Sequence, residues 1–228
     1  MPTVAATSGM VRYVGSAAGA VLAARPEVVC HPTVAEAGTA QAWVVGPGGG
    51  TGTDAVADID AVLSTGRPTV LDADALTCIA THPVLLRSAT APVLLTPHAG
   101  EFDRLTGGWD RGDRPGALRR FVAGLRERGI GATVLLKGAT TLVVDADGPV
   151  LVQDDAPTWL ATAGTGDVLA GLAGALLAGG LDPAIAGSMA ALVHGRAADL
   201  ANPGGPVRAL DLAHALGRTV AALLRDAD

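Results

Sequence analysis

Asp167 closes the string Gly164-Thr165-Gly166-Asp167, and an apolar run from Val168 to Ala178 follows at once. A glycine turn that feeds a helix leaves the first backbone N–H groups without intrahelical partners, and the helix dipole adds partial positive charge there. Such an end attracts an anion. A carboxylate in the first turn faces that anion and can take a proton from a hydroxyl beside it. The same string also reads as a plain glycine turn before a core helix, with Asp167 stabilising its N-terminus.

Four further clusters offer chemistry. Lys137-Gly138-Ala139-Thr140-Thr141 combines a point charge for phosphate, close backbone access and two hydroxyls; alternatively, Lys137 is only a solvated strand end. It is no P-loop, because G-x-x-x-x-G-K-[ST] occurs nowhere in the chain. Thr96-Pro97-His98-Ala99-Gly100-Glu101 puts an imidazole and a carboxylate at a helix entrance, where Glu101 could equally be a capping-box partner. Asp72 and Asp74 follow an apolar strand, as substrate-orienting groups or as N-cap of the next helix. Gly46-Pro47-Gly48-Gly49-Gly50-Thr51-Gly52 lets backbone approach a ligand closely. Gly50, Gly52 and Ala55 also satisfy the G-x-G-x-x-A dinucleotide fingerprint, with Asp72 about twenty residues on. His194 and His214 have no partner spacing and read as structural.

These clusters need a scaffold that brings strand ends together. Strands are expected at Met10 to Val14, Val28 to Cys30, Ala42 to Val45, Thr69 to Leu71, Val93 to Leu95 and Thr133 to Leu136. Helices are expected at Gly15 to Ala24, Asp54 to Ser64, Ala117 to Arg128, from Gly166 onward, Pro183 to Ala201 and Ala209 to Leu224. Thr141 to Val144 and Val150 to Gln153 flank a turn and read as a hairpin. Alternating strands and helices imply a mostly parallel sheet covered on both faces, with ligands bound beyond the strands' carboxyl ends. Every cluster above falls at such an end.

The 228 residues, 49% of them apolar and only 3% aromatic, suit one α/β domain cored by small aliphatic side chains. A net charge of −6 and a pI near 5.2 argue against nonspecific binding to nucleic acid or an anionic membrane. Cys30 and Cys78 provide neither a disulfide framework nor a metal spacing; both are expected to be buried, in a cytoplasmic protein.

The four stretches Val44 to Gly52, Leu94 to Leu105, Leu135 to Val143 and Ala163 to Gly180 resemble, in the right order, the ADP- or ATP-dependent NAD(P)H-hydrate dehydratases. That resemblance implies a ribokinase-like three-layer α/β/α fold with a mostly parallel central sheet, over a single domain of residues 1–228. In the resembling family a strand, a glycine-rich turn and a helix start precede the point where Met1 to Gly9 reads as a helix tail, so the domain is expected to be short at its N-terminus.

By resemblance, Asp167 is the catalytic base, and Gly48, Gly50, His98 and Asp167 contact the hydrate. Lys137, Gly138, Ala139, Thr140, Thr141, Gly164, Thr165 and Gly166 line the adenine nucleotide site. Glu101 lies near a Mg²⁺ ion and the phosphates. The implied reaction restores NADH or NADPH from the hydrates NADHX and NADPHX, with ADP favoured over ATP as co-substrate. A separate NAD(P)H-hydrate epimerase is the implied pathway partner, and a homo-oligomer the implied assembly. Three readings stand beside it: a small-alcohol kinase on the same fold, a Rossmann oxidoreductase using Gly50, Gly52 and Asp72, and a noncatalytic nucleotide-binding remnant.

Overall fold

The computed structural model describes residues 8–226. A first, two-stranded parallel sheet pairs β1 (Arg12–Val14) with β2 (Val29–His31), with α1 (Ala18–Ala24) between them and α2 (Val34–Ala37) after. The main sheet has six strands in chain order: β3 (Trp43–Val45), β4 (Thr69–Leu71), β5 (Val93–Leu95), β6 (Ala132–Leu136), β7 (Thr141–Val144) and β8 (Leu151–Gln153). The pairs from β3 to β6 are parallel, and the last two pairs antiparallel.

Between the parallel strands lie α3 (Thr53–Leu63), α4 (Asp74–Thr81), a 3₁₀ turn over Pro83–Ser88, α5 (Ala99–Thr106) and α6 (Arg114–Arg126). Because the sheet grows strand by strand in one direction, right-handed crossovers send all of these to one face. The other face is left to α7 (Thr165–Ala178), α8 (Pro183–Ala201) and α9 (Ala209–Asp226). Side-chain alternation divides the core accordingly. Val70, Leu94, Leu135 and Val143 pack with α7, α8 and α9, whereas Leu71, Val93, Leu95, Val134, Leu136 and Val144 pack with the crossover helices. The layering is the expected α/β/α.

Small residues let helix and sheet approach. A Cβ on Gly174 of α7 would stand 2.2 Å from Cγ2 of Val44. On the opposite face Phe102 is fully buried and meets Trp109 and Phe121 edge-on, with centroids 5.1 and 5.3 Å apart.

Several expectations shift by a residue or more. The first strand is Arg12–Val14 rather than Met10 to Val14, α1 starts at Ala18 rather than Gly15, and β2 is Val29–His31 rather than Val28 to Cys30. The helix tail expected over Met1 to Gly9 lies mostly outside the described residues; Ser8 and Gly9 are not helical. Cys78 is buried as expected, but Cys30 is only half-buried, because β2 belongs to the small sheet rather than the six-stranded one. The α6 helix starts earlier than expected, at Arg114, because Asp113 caps it by accepting the Gly116 N–H and Pro115 suits the first turn.

Candidate active site

The carboxyl ends of β4, β5 and β6 and the start of α7 carry the candidate groups. At α7, Gly164 occupies the N-cap position with φ 85°, and no side chain caps the helix. The Gly166 and Asp167 amides therefore precede the first intrahelical bond, made by the Val168 N–H to the Gly164 carbonyl at 3.3 Å. The buried Thr165 hydroxyl turns inward, within 2.7 Å of the Leu160 and Thr162 carbonyls, and its N–H donates to the Thr162 carbonyl at 3.3 Å, so the ligand-facing amides of the turn are those of Gly166 and Asp167. The buried His194 of α8 has its Nε2 2.8 Å from the Thr165 carbonyl. Burial, opposed by that bond and reinforced by the Lys137 charge, lowers its pKa to about 4. His194 is therefore neutral and donates from Nε2.

Asp167 is exposed. Its pKa is raised, first by partial desolvation and then by the charge of Asp72, with Lys137 opposing and Asp74 adding a smaller push. A carboxylate whose proton affinity is raised in this way is a better base than a free one.

Lys137 follows β6 directly and is the hub. Its ammonium donates to Oδ1 of Asp72 at 2.6 Å and lies 3.7 Å from Oε2 of Glu101. Asp72 is 1% exposed and also accepts from the Thr96 hydroxyl at 2.9 Å. Neither Asp72 nor Asp74 is an N-cap: that position of α4 belongs to Ala73, with no side-chain cap. Nor is Lys137 merely a solvated strand end. A Cβ on Gly166 would lie 3.5 Å from its Nζ, so the anion turn and the lysine face one another.

The proline-histidine bend joins the same cluster through backbone. The Lys137 N–H donates to the Pro97 carbonyl at 2.8 Å, and His98 and Lys137 form a parallel bridge. His98 is the N-cap of α5: its Nδ1 accepts the Gly100 and Glu101 amides at 3.0 and 3.2 Å. Glu101 completes the box by accepting the His98 N–H at 2.7 Å. The imidazole side chain remains 54% exposed, with its Nε2 3.5 Å from Oε1 of Glu101.

In the glycine loop, Gly46 has φ 122°, and a Cβ there would come within 1.8 Å of the Asp72 carbonyl. Gly48 and Gly50 have φ 67° and 75°, which glycine adopts without strain. The Gly50 N–H donates to Oδ2 of Asp74 at 2.9 Å. Gly138 and Ala139 are exposed, the Thr140 carbonyl accepts from Arg114 at 2.8 Å, and the Thr141 hydroxyl donates to the Gly138 carbonyl at 3.4 Å.

Sequence reasoning missed Thr96, Arg114 and the Asp74 contact. A basic residue ahead of the helix-starting Pro115 was a signal for Arg114; the other two depend on long-range contact. Two concavities, a groove of about 510 Å³ beside Trp109 and Phe121 and a smaller one beside Trp43, contain none of Asp167, Lys137 or His98. The candidate groups gather at the carboxyl ends of the strands, apart from both concavities.

Among the described residues no three acidic, histidine or cysteine side chains are grouped as metal ligands. Asp72, Asp74 and Glu101 are all engaged with protein donors. This set does not fit a resident Mg²⁺ ion, which would travel with the phosphates of a nucleotide.

A family model described as NAD(P)H-hydrate dehydratase matches residues 1–219. The chain belongs to that family. The bifunctional NAD(P)H-hydrate repair enzyme Nnr of Mycobacterium tuberculosis is 53% identical over 178 residues, covering 78% of this chain and 37% of that protein. The ADP-dependent (S)-NAD(P)H-hydrate dehydratase of Neisseria meningitidis is 40% identical over 190 residues, covering 79% of this chain and 62% of that one. The chain thus spans less than half the length of the first of these relatives. A ribokinase-like superfamily protein from Enterococcus faecalis superposes with a TM-score of 0.81 at 23% identity, covering 97% of this chain and 80% of that one. The ADP/ATP-dependent NAD(P)H-hydrate dehydratase of Bacillus subtilis, co-crystallised with ATP and Mg²⁺, gives 0.79 at 23% identity, covering 97% and 84%. At that identity the superpositions establish the fold, which is ribokinase-like. Among the described residues no helix is long and apolar enough to cross a membrane.

Proposed function

We propose that this chain dehydrates NADHX and NADPHX to NADH and NADPH at the expense of ADP, with ATP the alternative donor. The observation that carries the reading is Asp167, exposed at the uncapped start of α7 and with its pKa raised, next to a turn that faces Lys137.

Asp167 removes the proton of the hydrate's ring hydroxyl as that oxygen attacks the terminal phosphoryl group. The P–O bond to the nucleotide breaks, releasing AMP from ADP. The new phosphate ester then loses inorganic phosphate, and the neighbouring ring carbon gives up a proton to solvent, as the ring double bond returns; phosphate leaves far more readily than hydroxide. The Gly166 and Asp167 amides stabilise charge on the phosphoryl oxygens. His98 and the glycine loop bind the nicotinamide side, and Lys137 to Thr141 the nucleotide side. A Mg²⁺ ion arriving with the nucleotide would supply charge neutralisation at the phosphates. An NAD(P)H-hydrate epimerase is the proposed pathway partner.

The test is incubation with NADHX, Mg²⁺ and either ADP or ATP, following the return of reduced-nicotinamide absorbance. Asp167→Asn is expected to slow turnover by roughly 10²–10⁴-fold; unchanged turnover rules out the assignment. A phosphate ester that accumulates without the double bond returning would favour the small-alcohol kinase reading.

A further inference from the structure

Ala73 is the only non-glycine residue with positive φ among the described residues, at φ 48° and ψ −117°. L-residues rarely adopt this conformation, and an alanine held there is over-determined by its surroundings. The surroundings are its two neighbours. Asp72 on one side is tied to Lys137 at 2.6 Å and Thr96 at 2.9 Å, and Asp74 on the other accepts the Gly50 N–H at 2.9 Å.

The turn at Ala73 therefore lets the two aspartates that flank it reach different partners. One secures the lysine strand end, and the other secures the glycine loop. The loop cannot be held by side chains of its own, because Gly48, Gly49 and Gly50 have none, and its backbone at Gly48 and Gly50 lies in a region with a broad choice of glycine conformations. Two further contacts fall along the same line: Gly46 packs against the Asp72 carbonyl with no room for a Cβ, and Sγ of Cys78, one turn further along α4, lies 3.9 Å from the Gly50 carbonyl.

We infer that Asp74 is a positioning residue, whose carboxylate fixes the Gly48–Gly50 backbone for the nicotinamide hydrate relative to the Lys137 strand end. The inference rests on the proposed dehydratase reading for the identity of the ligand, but the tether itself does not. Asp74 touches neither reacting atoms nor nucleotide; it acts through Gly50, beside the small push that its charge gives the Asp167 pKa.

The experiment compares the wild-type chain with Asp74→Ala and Asp74→Asn. Hydrate and ADP are varied separately, and amide hydrogen exchange is followed over the peptide containing Gly50. Losing a hydrogen bond to a charged acceptor is expected to raise the KM for hydrate by roughly ten- to a hundredfold in Asp74→Ala. The KM for ADP should stay within about twofold of wild type, and kcat should change far less than the KM for hydrate. Asp74→Asn keeps a carbonyl oxygen at the acceptor position and is expected to recover most of the hydrate KM. Exchange at Gly50 should accelerate in Asp74→Ala while protection of β4 and β5 persists.

A hydrate KM unchanged in Asp74→Ala, or Gly50 exchange equal to wild type, overturns the inference. So does an equal fall of kcat and of affinity for both ligands, which marks general unfolding. A wild-type chain that converts no hydrate overturns the dehydratase reading and the ligand named here, while the exchange comparison still decides separately whether Asp74 restrains the loop.

Discussion

The ammonium of Lys137 sits 2.6 Å from Oδ1 of Asp72, whose carboxylate is almost wholly enclosed. The lysine expected to serve phosphate is therefore half of an internal ion pair, and under the proposed function a nucleotide would draw on backbone amides as well. Removing the lysine strands the aspartate. Lys137→Met is expected to cost about 3 kcal/mol, the low end for breaking a buried pair, because Lys137 keeps some solvent contact. Urea unfolding should report the loss, and adding Asp72→Asn should recover part of it. A cost below about 1 kcal/mol would mean that the pair behaves like a surface one.

The proton affinity of Asp167 predicts the acid limb of the pH–rate profile. The base acts deprotonated, so kcat/KM should fall as pH drops through a pKa above that of an ordinary aspartate. Lys137 opposes the rise, so Lys137→Met should move the limb to higher pH. Asp72 contributes to it, so Asp72→Asn should move the limb to lower pH. Movement in the opposite senses would remove Asp167 as the titrating group.

His194 predicts a pH-dependent stability. Its pKa falls from 6.5 to about 4 on folding, so between those values the unfolded chain binds the extra proton. This contribution is complete above about pH 6.5 and is lost as pH falls toward 4. The loss is on the order of 3 kcal/mol. Denaturation midpoints measured across that window should decline, and the decline should flatten in His194→Gln.

Gly174 predicts a steric penalty away from the chemistry. An alanine there would press its methyl to within 2.2 Å of Val44 Cγ2. Gly174→Ala is expected to cost about 1–3 kcal/mol. Combining it with Val44→Ala should cost less than the two single changes together, a coupling that a double-mutant cycle on thermal unfolding would measure.

Much of the scaffold was legible in the residues. The β-branched and apolar triplets of β4 and β5 carry enough signal to fix both strands at the residues expected, and Pro183 with its capping Asp182 marks the start of α8. Weak signals misled where the chain is short on apolar side chains. Gly15 to Ala17 reads as helix by its alanines, yet Gly15 has φ 147°, outside any helix. At the site, the glycine turn before α7 and the capping box were visible because both are local patterns. The Lys137–Asp72 pair joins residues 65 apart in sequence, and the bond from Asp74 to Gly50 spans 24, so neither leaves a local trace. The inward turn of the Thr165 hydroxyl was hidden for a different reason: its acceptors are main-chain carbonyls, which every residue carries.

The rung between His98 and Lys137 sets the distance between the two ends of the cleft by peptide groups alone, since the Lys137 N–H meets the Pro97 carbonyl and no side chain takes part. The rung itself is made by neither side chain. A scaffold of this kind keeps its spacing while its chemistry is rewritten, so new substrates can be accommodated one residue at a time without re-solving the geometry of the whole.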